Sequence, residues 1–171
     1  MTDGDFDLVD WDGIVDGHAK SVFRVAMRIL GSVQDAEDVS QDVFTEAFQL
    51  HSKTTVKNWT GLLVRLATLR SIDRLRRKRP AVELSETDRM SSVEPFHELA
   101  ADELARWLRN AVAQLPDQQS AVFVMFHFEH LPREEISAAL DMTPEAVSAA
   151  LYKARQRLTT ELTLFNRGDL K

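Results

Sequence analysis

Between Gly31 and Leu50 the chain carries five carboxylates, Asp35, Glu37, Asp38, Asp42 and Glu46, and no lysine or arginine. Between Arg65 and Arg79 it carries seven cations, Arg65, Arg70, Arg74, Arg76, Arg77, Lys78 and Arg79, against one acid, Asp73. The first run is suited to a basic partner, because it has no lysine or arginine at i+4 to pair with along its own helix. The second is suited to phosphates, which bind such a row with an affinity that falls steeply with salt. Covalent chemistry has no comparable support. There is no paired nucleophile and base, no Gly-rich phosphate loop and no G-x-G-x-x-G, so neither an enzyme nor a cofactor is expected. His127 and His130 have H-x-x-H spacing, but two ligands without a third nearby or any cysteine make a weak metal signal, and no metal is assigned.

The totals alone point away from nucleic acid, since a net charge of -6 and a pI near 5.4 repel polyanions. The segregation of charge reverses that inference and suggests separate surfaces for separate partners. With 171 residues the chain suits one ordinary domain or two small ones. No apolar run reaches membrane-spanning length and no secretion signal is visible, so no membrane insertion and a cytoplasmic location are expected. Zero cysteines fits a reducing compartment and removes disulfides and thiolate ligands.

Helical spacing of Val15, Val22, Val25, Ala26 and Ile29 predicts a helix from Ile14 to Leu30, with Gly31 as its C-terminal cap. Ser32 caps a second helix, whose stripe is Val39, Val43, Phe44, Ala47 and Phe48; Asp35, Asp38, Gln41, Asp42 and Thr45 are expected on or near its solvated side. A polar loop follows, residues 51–58. A long helix then runs from Trp59 to Lys78, buried through Leu62, Leu63, Leu66, Leu69, Ile72 and Leu75 and stopped by Pro80. Its basic end turns Arg70, Arg74, Arg77 and Lys78 outward. Trp59 either stacks on an unpaired base or staples the loop to the core.

Residues 80–100 are rich in Ser, Pro and Glu without a period, the composition of a flexible linker. Beyond it, helices are predicted over Asp102–Leu115, Asp117–Glu129, Pro132–Leu140 and Thr143–Leu164. The last two, separated by a three-residue turn, form a helix-turn-helix pattern. The fold class is therefore all-α, two small helical domains joined by a linker: 1–79, then 80–100, then 101–171. The final helix opens with Thr143 as N-cap and Pro144 at the first helical position. Its first turns carry Ser148, Ala149 and Ala150 where a DNA reader would be expected to be basic. Helical phase turns Val147, Leu151, Ala154 and Leu158 inward and leaves Glu145, Ser148, Ala149, Tyr152, Lys153 and Gln156 for a groove, with Arg155 and Arg157 beside them for phosphates.

The order of these parts, "ILGSVQDAEDVSQDVFTEAF", "LLVRLATLRSIDRLRRKRP", a linker and "LPDQQSAVFVMFHFEHLPREEISAALDMTPEAVSAALYKARQRL", closely resembles the extracytoplasmic-function sigma factors. These are the two-domain subunits that give bacterial RNA polymerase its promoter choice. The D-A-E-D-x-x-Q-[DE]-x-F run carries most of the specificity. The resemblance implies that Asp35, Glu37, Asp38, Gln41 and Asp42 bind core RNA polymerase. It implies that the loop, Trp59 and Arg65, Arg70, Arg74, Arg76, Arg77 and Lys78 bind the minus-ten element and hold a melted base. Ser148, Ala149, Tyr152, Lys153, Arg155 and Gln156 would then read the minus-thirty-five element of promoter DNA, and an anti-sigma factor is an expected partner.

Three positions depart from the family pattern. Leu69 stands where an Asn is common, Trp59 lies three residues ahead of the usual aromatic site, and Ala146, Ser148 and Ala150 replace Thr, Lys and Arg in the last helix. Two rival readings follow from the same residues: a helix-turn-helix regulator acting without polymerase, and a degenerate sigma-like interaction module.

Overall fold

The computed structural model describes residues 9–78 and 97–167, and within these the secondary structure is helical throughout, without a strand. The expected all-α class is what the chain adopts. Arg79 and most of the segment 80–100 lie outside the described residues.

The first helix, α1 (Trp11–Leu30), begins three residues before the apolar period does, because the Asp10 carboxylate accepts from the Gly13 amide at 3.0 Å. It ends at Gly31, whose φ of 68° lets its amide turn back to the Met27 carbonyl at 2.8 Å. The next residue, Ser32, caps α2 (Val33–His51) by accepting from the Asp35 amide. A short loop leads to Asn58, which caps α3 (Trp59–Arg77) through a 2.9 Å bond from the Gly61 amide. Val22, Val25 and Ile29 of α1, Val39 and Val43 of α2 and Leu63 and Ala67 of α3 close one core.

The second half contains α4 (His97–Gln114), α5 (Asp117–His127), α6 (Arg133–Leu140) and α7 (Pro144–Arg167). α4 starts ahead of the expected Asp102 because Glu98, Leu99, Ala100 and Ala101 are all good helix formers. α5 is buried at six consecutive positions, from Ser120 to Met125, and packs against α3, α4, α6 and α7. Asp141, at φ 52°, ends α6, and the Thr143 hydroxyl accepts from the Ala146 amide to start α7. α6 and α7 are the expected helix-turn-helix.

One expectation was too narrow. α3 buries not a single stripe but Leu63, Val64, Leu66, Ala67, Thr68, Ser71 and Ile72. It packs against α1 and α2 on one side and against α4, α5 and α6 on the other. The two halves therefore share a continuous apolar core with α3 at its centre.

Candidate nucleic-acid interface

The acidic and basic runs meet across the α2–α3 pair. Asp35, expected on the solvated side of α2, is buried, because the helical phase that turns Val39 and Val43 inward also carries Asp35 toward α3. Its carboxylate accepts from Arg74 Nε at 2.9 Å and from Lys78 Nζ. Arg74 also reaches Asp38 at 2.8 Å, and Arg70 Nε donates to Glu46 at 2.7 Å. Burial pushes the Asp35 carboxyl up, but the bonds from Lys78 and Arg74 outweigh it and hold the group below its ordinary value of 3.8. The same pairs raise Arg74, chiefly through Asp35, and Arg70, chiefly through Glu46. The missing i+4 cations of α2 are thus supplied by the neighbouring helix.

This divides the predicted site. On α2, Glu37, Asp38, Gln41, Asp42 and Thr45 are exposed, and Asp35 is not. Val33 and Phe48, 54% and 53% exposed, flank the acids along the helix. On α3, Arg65 and Arg77 are exposed cations without an acidic partner among the described residues, whereas Arg70, Arg74 and Lys78 are engaged by α2. Arg76, expected to face DNA, points into the second half of the chain, where its guanidinium meets Asp117 at 2.5 Å. Of the six described cations in the row read from sequence, four are thus paired with acids of the protein itself.

Trp59 is half-buried, 5.7 Å from Trp11 and 5.4 Å from His51 between ring centroids, and Trp11 also meets Phe48 at 5.1 Å. Its ring joins the exit of the loop to this aromatic cluster. Beside the loop lies a mainly apolar cleft of about 390 Å³, walled by Leu50, Val56, Asn58, Leu62 and Arg65 and closed on its far side by Ala138 and Ala139 of α6. Those two alanines were not legible as site residues. Only the packing of α6 on α3 brings them there.

On α7, Ala149, Tyr152, Lys153, Arg155 and Gln156 are exposed and Ser148 is half-buried. Ala150 faces the core, not a groove, as the phase of Val147, Leu151 and Ala154 requires. Gln156 Nε2 donates to the Tyr152 hydroxyl at 2.6 Å, which leaves one amide hydrogen and the carbonyl oxygen of Gln156 unused by that bond. Arg155 is held on its own domain: its Nε donates to His127 Nε2 at 3.2 Å and its guanidinium lies 5.4 Å from the Phe126 ring centre. Lys153 lines a groove with Gln118, Gln119, Ala146 and Ala149.

This geometry coincides with two known regions. Residues 14–81 match Sigma-70 region 2 and residues 105–158 match Sigma-70, region 4. The ECF RNA polymerase sigma factor SigW of Bacillus subtilis is 26% identical over 162 residues, covering 87% of each chain. The ECF RNA polymerase sigma factor SigE of Mycolicibacterium smegmatis is 31% identical over 161 residues, 88% of this chain and 61% of that one. The fold is also that of CnrH, solved in complex with the cytosolic domain of CnrY, at a TM-score of 0.58 and 19% identity over 90% of this chain and 87% of that one. The chain belongs to the extracytoplasmic-function sigma factors, with a sigma factor's role in promoter recognition. Among the described residues no helix is long and apolar enough to cross a membrane.

Proposed function

We propose that this sigma factor works in the cytoplasm, carries no catalytic chemistry and divides its labour among three surfaces. The exposed acids of α2, Glu37, Asp38 and Asp42 with Gln41, dock on a basic element of core RNA polymerase, and Val33 and Phe48 add apolar area at the ends of that face. The cleft beside the loop 52–58 receives an unstacked base of the minus-ten element, with Arg65 at its rim for the backbone phosphate. Tyr152, Lys153 and Gln156 read the minus-thirty-five element in the major groove; the free edge of the Gln156 amide suits an adenine. The observation that carries this reading is the pairing of an outward acidic face on α2 with a helix-turn-helix in one chain.

A 1:1 complex with core polymerase on size-exclusion chromatography, followed by initiation from a subset of genomic fragments, is the expected result. Failure to co-elute would overturn it. The pairing of Arg70, Arg74 and Lys78 with α2 favours one rival, a sigma-like module weak in DNA recognition; that rival forms the complex but starts no transcript. An anti-sigma protein is the natural inhibitor, since covering α2 would block polymerase.

A further inference from the structure

Arg76 sits on α3 but makes its bonds in the other half of the chain. Its Nε donates to the Ala113 carbonyl at 2.8 Å, one terminal nitrogen donates to the Leu115 carbonyl at 2.7 Å, and the other meets the Asp117 carboxylate at 2.5 Å. The first two acceptors lie at the C-terminal end of α4, where the helix leaves carbonyls without intrahelical partners, and the third opens α5. The seat thus offers a guanidinium three oxygens, one of them charged, much as a phosphate would. A second bond set also joins the two halves. Arg28 of α1 donates to the Phe128 carbonyl and pairs with Glu129 at 3.0 Å, and Arg109 of α4 reaches the Arg28 carbonyl at 3.4 Å. Across the same interface, Ala138 and Ala139 of α6 line the cleft beside the loop.

We infer that Arg76, seated in the α4–α5 corner, is a latch that holds the two halves in a closed form unable to occupy a promoter. The consequence for promoters rests on the function proposed above; the latch itself does not. Elements centred at minus ten and minus thirty-five lie about 25 base pairs, or about 85 Å, apart along the duplex at ~3.4 Å per pair. A compact chain of this length has a radius of gyration of about 16 Å. With α3 packed directly on α4, α5 and α6, the two readers cannot sit that far apart. The 18 residues 79–96 have a contour of about 60 Å, enough to let the halves separate on the same duplex. Opening also returns Arg76 to the cationic face of α3 and uncovers the cleft, so closure withholds position, charge and pocket together.

The chain has no cysteine, so two introduced ones report the distance between the halves by energy transfer: Lys20→Cys on α1 and Thr159→Cys on α7, both exposed. The free full-length protein should show high transfer, and Arg76→Ala and Asp117→Lys should each lower it. Core polymerase should lower it in every version. Removing the closed population should tighten polymerase binding, about tenfold if nine-tenths of the free chain is closed. Should Arg76→Ala fail to fold, as judged by circular dichroism, Asp117→Lys carries the test from an exposed site on the other helix. Low transfer in the unsubstituted chain, or transfer unchanged by both variants, would overturn the latch. A change in transfer without any binding to polymerase would uphold the latch and sink the proposed function instead.

Discussion

With its carboxylate buried between Arg74 and Lys78, Asp35 ties α2 to α3 where a hydrophobic contact could have served. Removing the acid leaves Lys78 without its acidic partner and Arg74 with Asp38 alone. Asp35→Ala should therefore destabilise the fold by about 2 kcal/mol, less than a fully buried pair because Arg74 and Lys78 keep access to water. Urea unfolding measures it. Because the folded Asp35 has a lowered pKa, its contribution is complete above 3.8 and is lost as pH falls through the folded value; the variant should lack that part of the acid transition. His127 adds a loss of the same sign, in a higher pH range. Burial first, then Arg155 and His130, hold its pKa below 6.5, so the unfolded chain takes up its proton earlier and stability falls as pH drops below 6.5. Gln at this position keeps an acceptor for Arg155 but cannot be protonated. His127→Gln should lose less melting temperature between pH 7.5 and 5.5 than the parent protein, by thermal unfolding at the two values.

Among the elements, α3 explains most of what sequence could and could not convey. Its limits were legible from Trp59 and Pro80, and Gly31, Ser32 and Thr143 announced their helix ends, because caps are local chemistry. The second buried side of α3 was not legible. Thr68 and Ser71 look like solvated positions in the sequence, yet both are fully buried and neither hydroxyl has a hydrogen-bond partner among the described residues. Only a helix packed on two sides buries such residues, and that depends on segments more than thirty positions away. The same distance hid the seat of Arg76: Asp117 reads as a favourable first-turn acid, and nothing in its own window announces a guanidinium. Thr68→Val keeps the shape and removes an unsatisfied hydroxyl. It should stabilise the protein by about 1 kcal/mol in chemical denaturation.

For the whole molecule, formal charge overstates what DNA can use. Arg65 and Arg77 are the described α3 cations that are exposed without an acidic partner. Binding of the free chain to duplex DNA should respond to them first. The double variant Arg65→Ala, Arg77→Ala should flatten the slope of log affinity against log salt by about 2, whereas Arg70→Ala, Arg74→Ala should change it little. Fluorescence anisotropy across a salt series reads both, and equal effects from the two pairs would mean that the α2 acids do not hold their partners in solution.

Gly31 lies on the surface, where a mutational survey would expect tolerance. Yet its left-handed φ penalises any other residue by roughly 1 kcal/mol or more, and a Cβ there would stand 2.7 Å from the Arg109 guanidinium carbon. A substitution would disturb the end of α1, the start of α2 and a contact between the halves at once. Inherited variation at this exposed position should accordingly be as sparse as in the core, and a revertant is expected to arise at Arg109, far away in sequence.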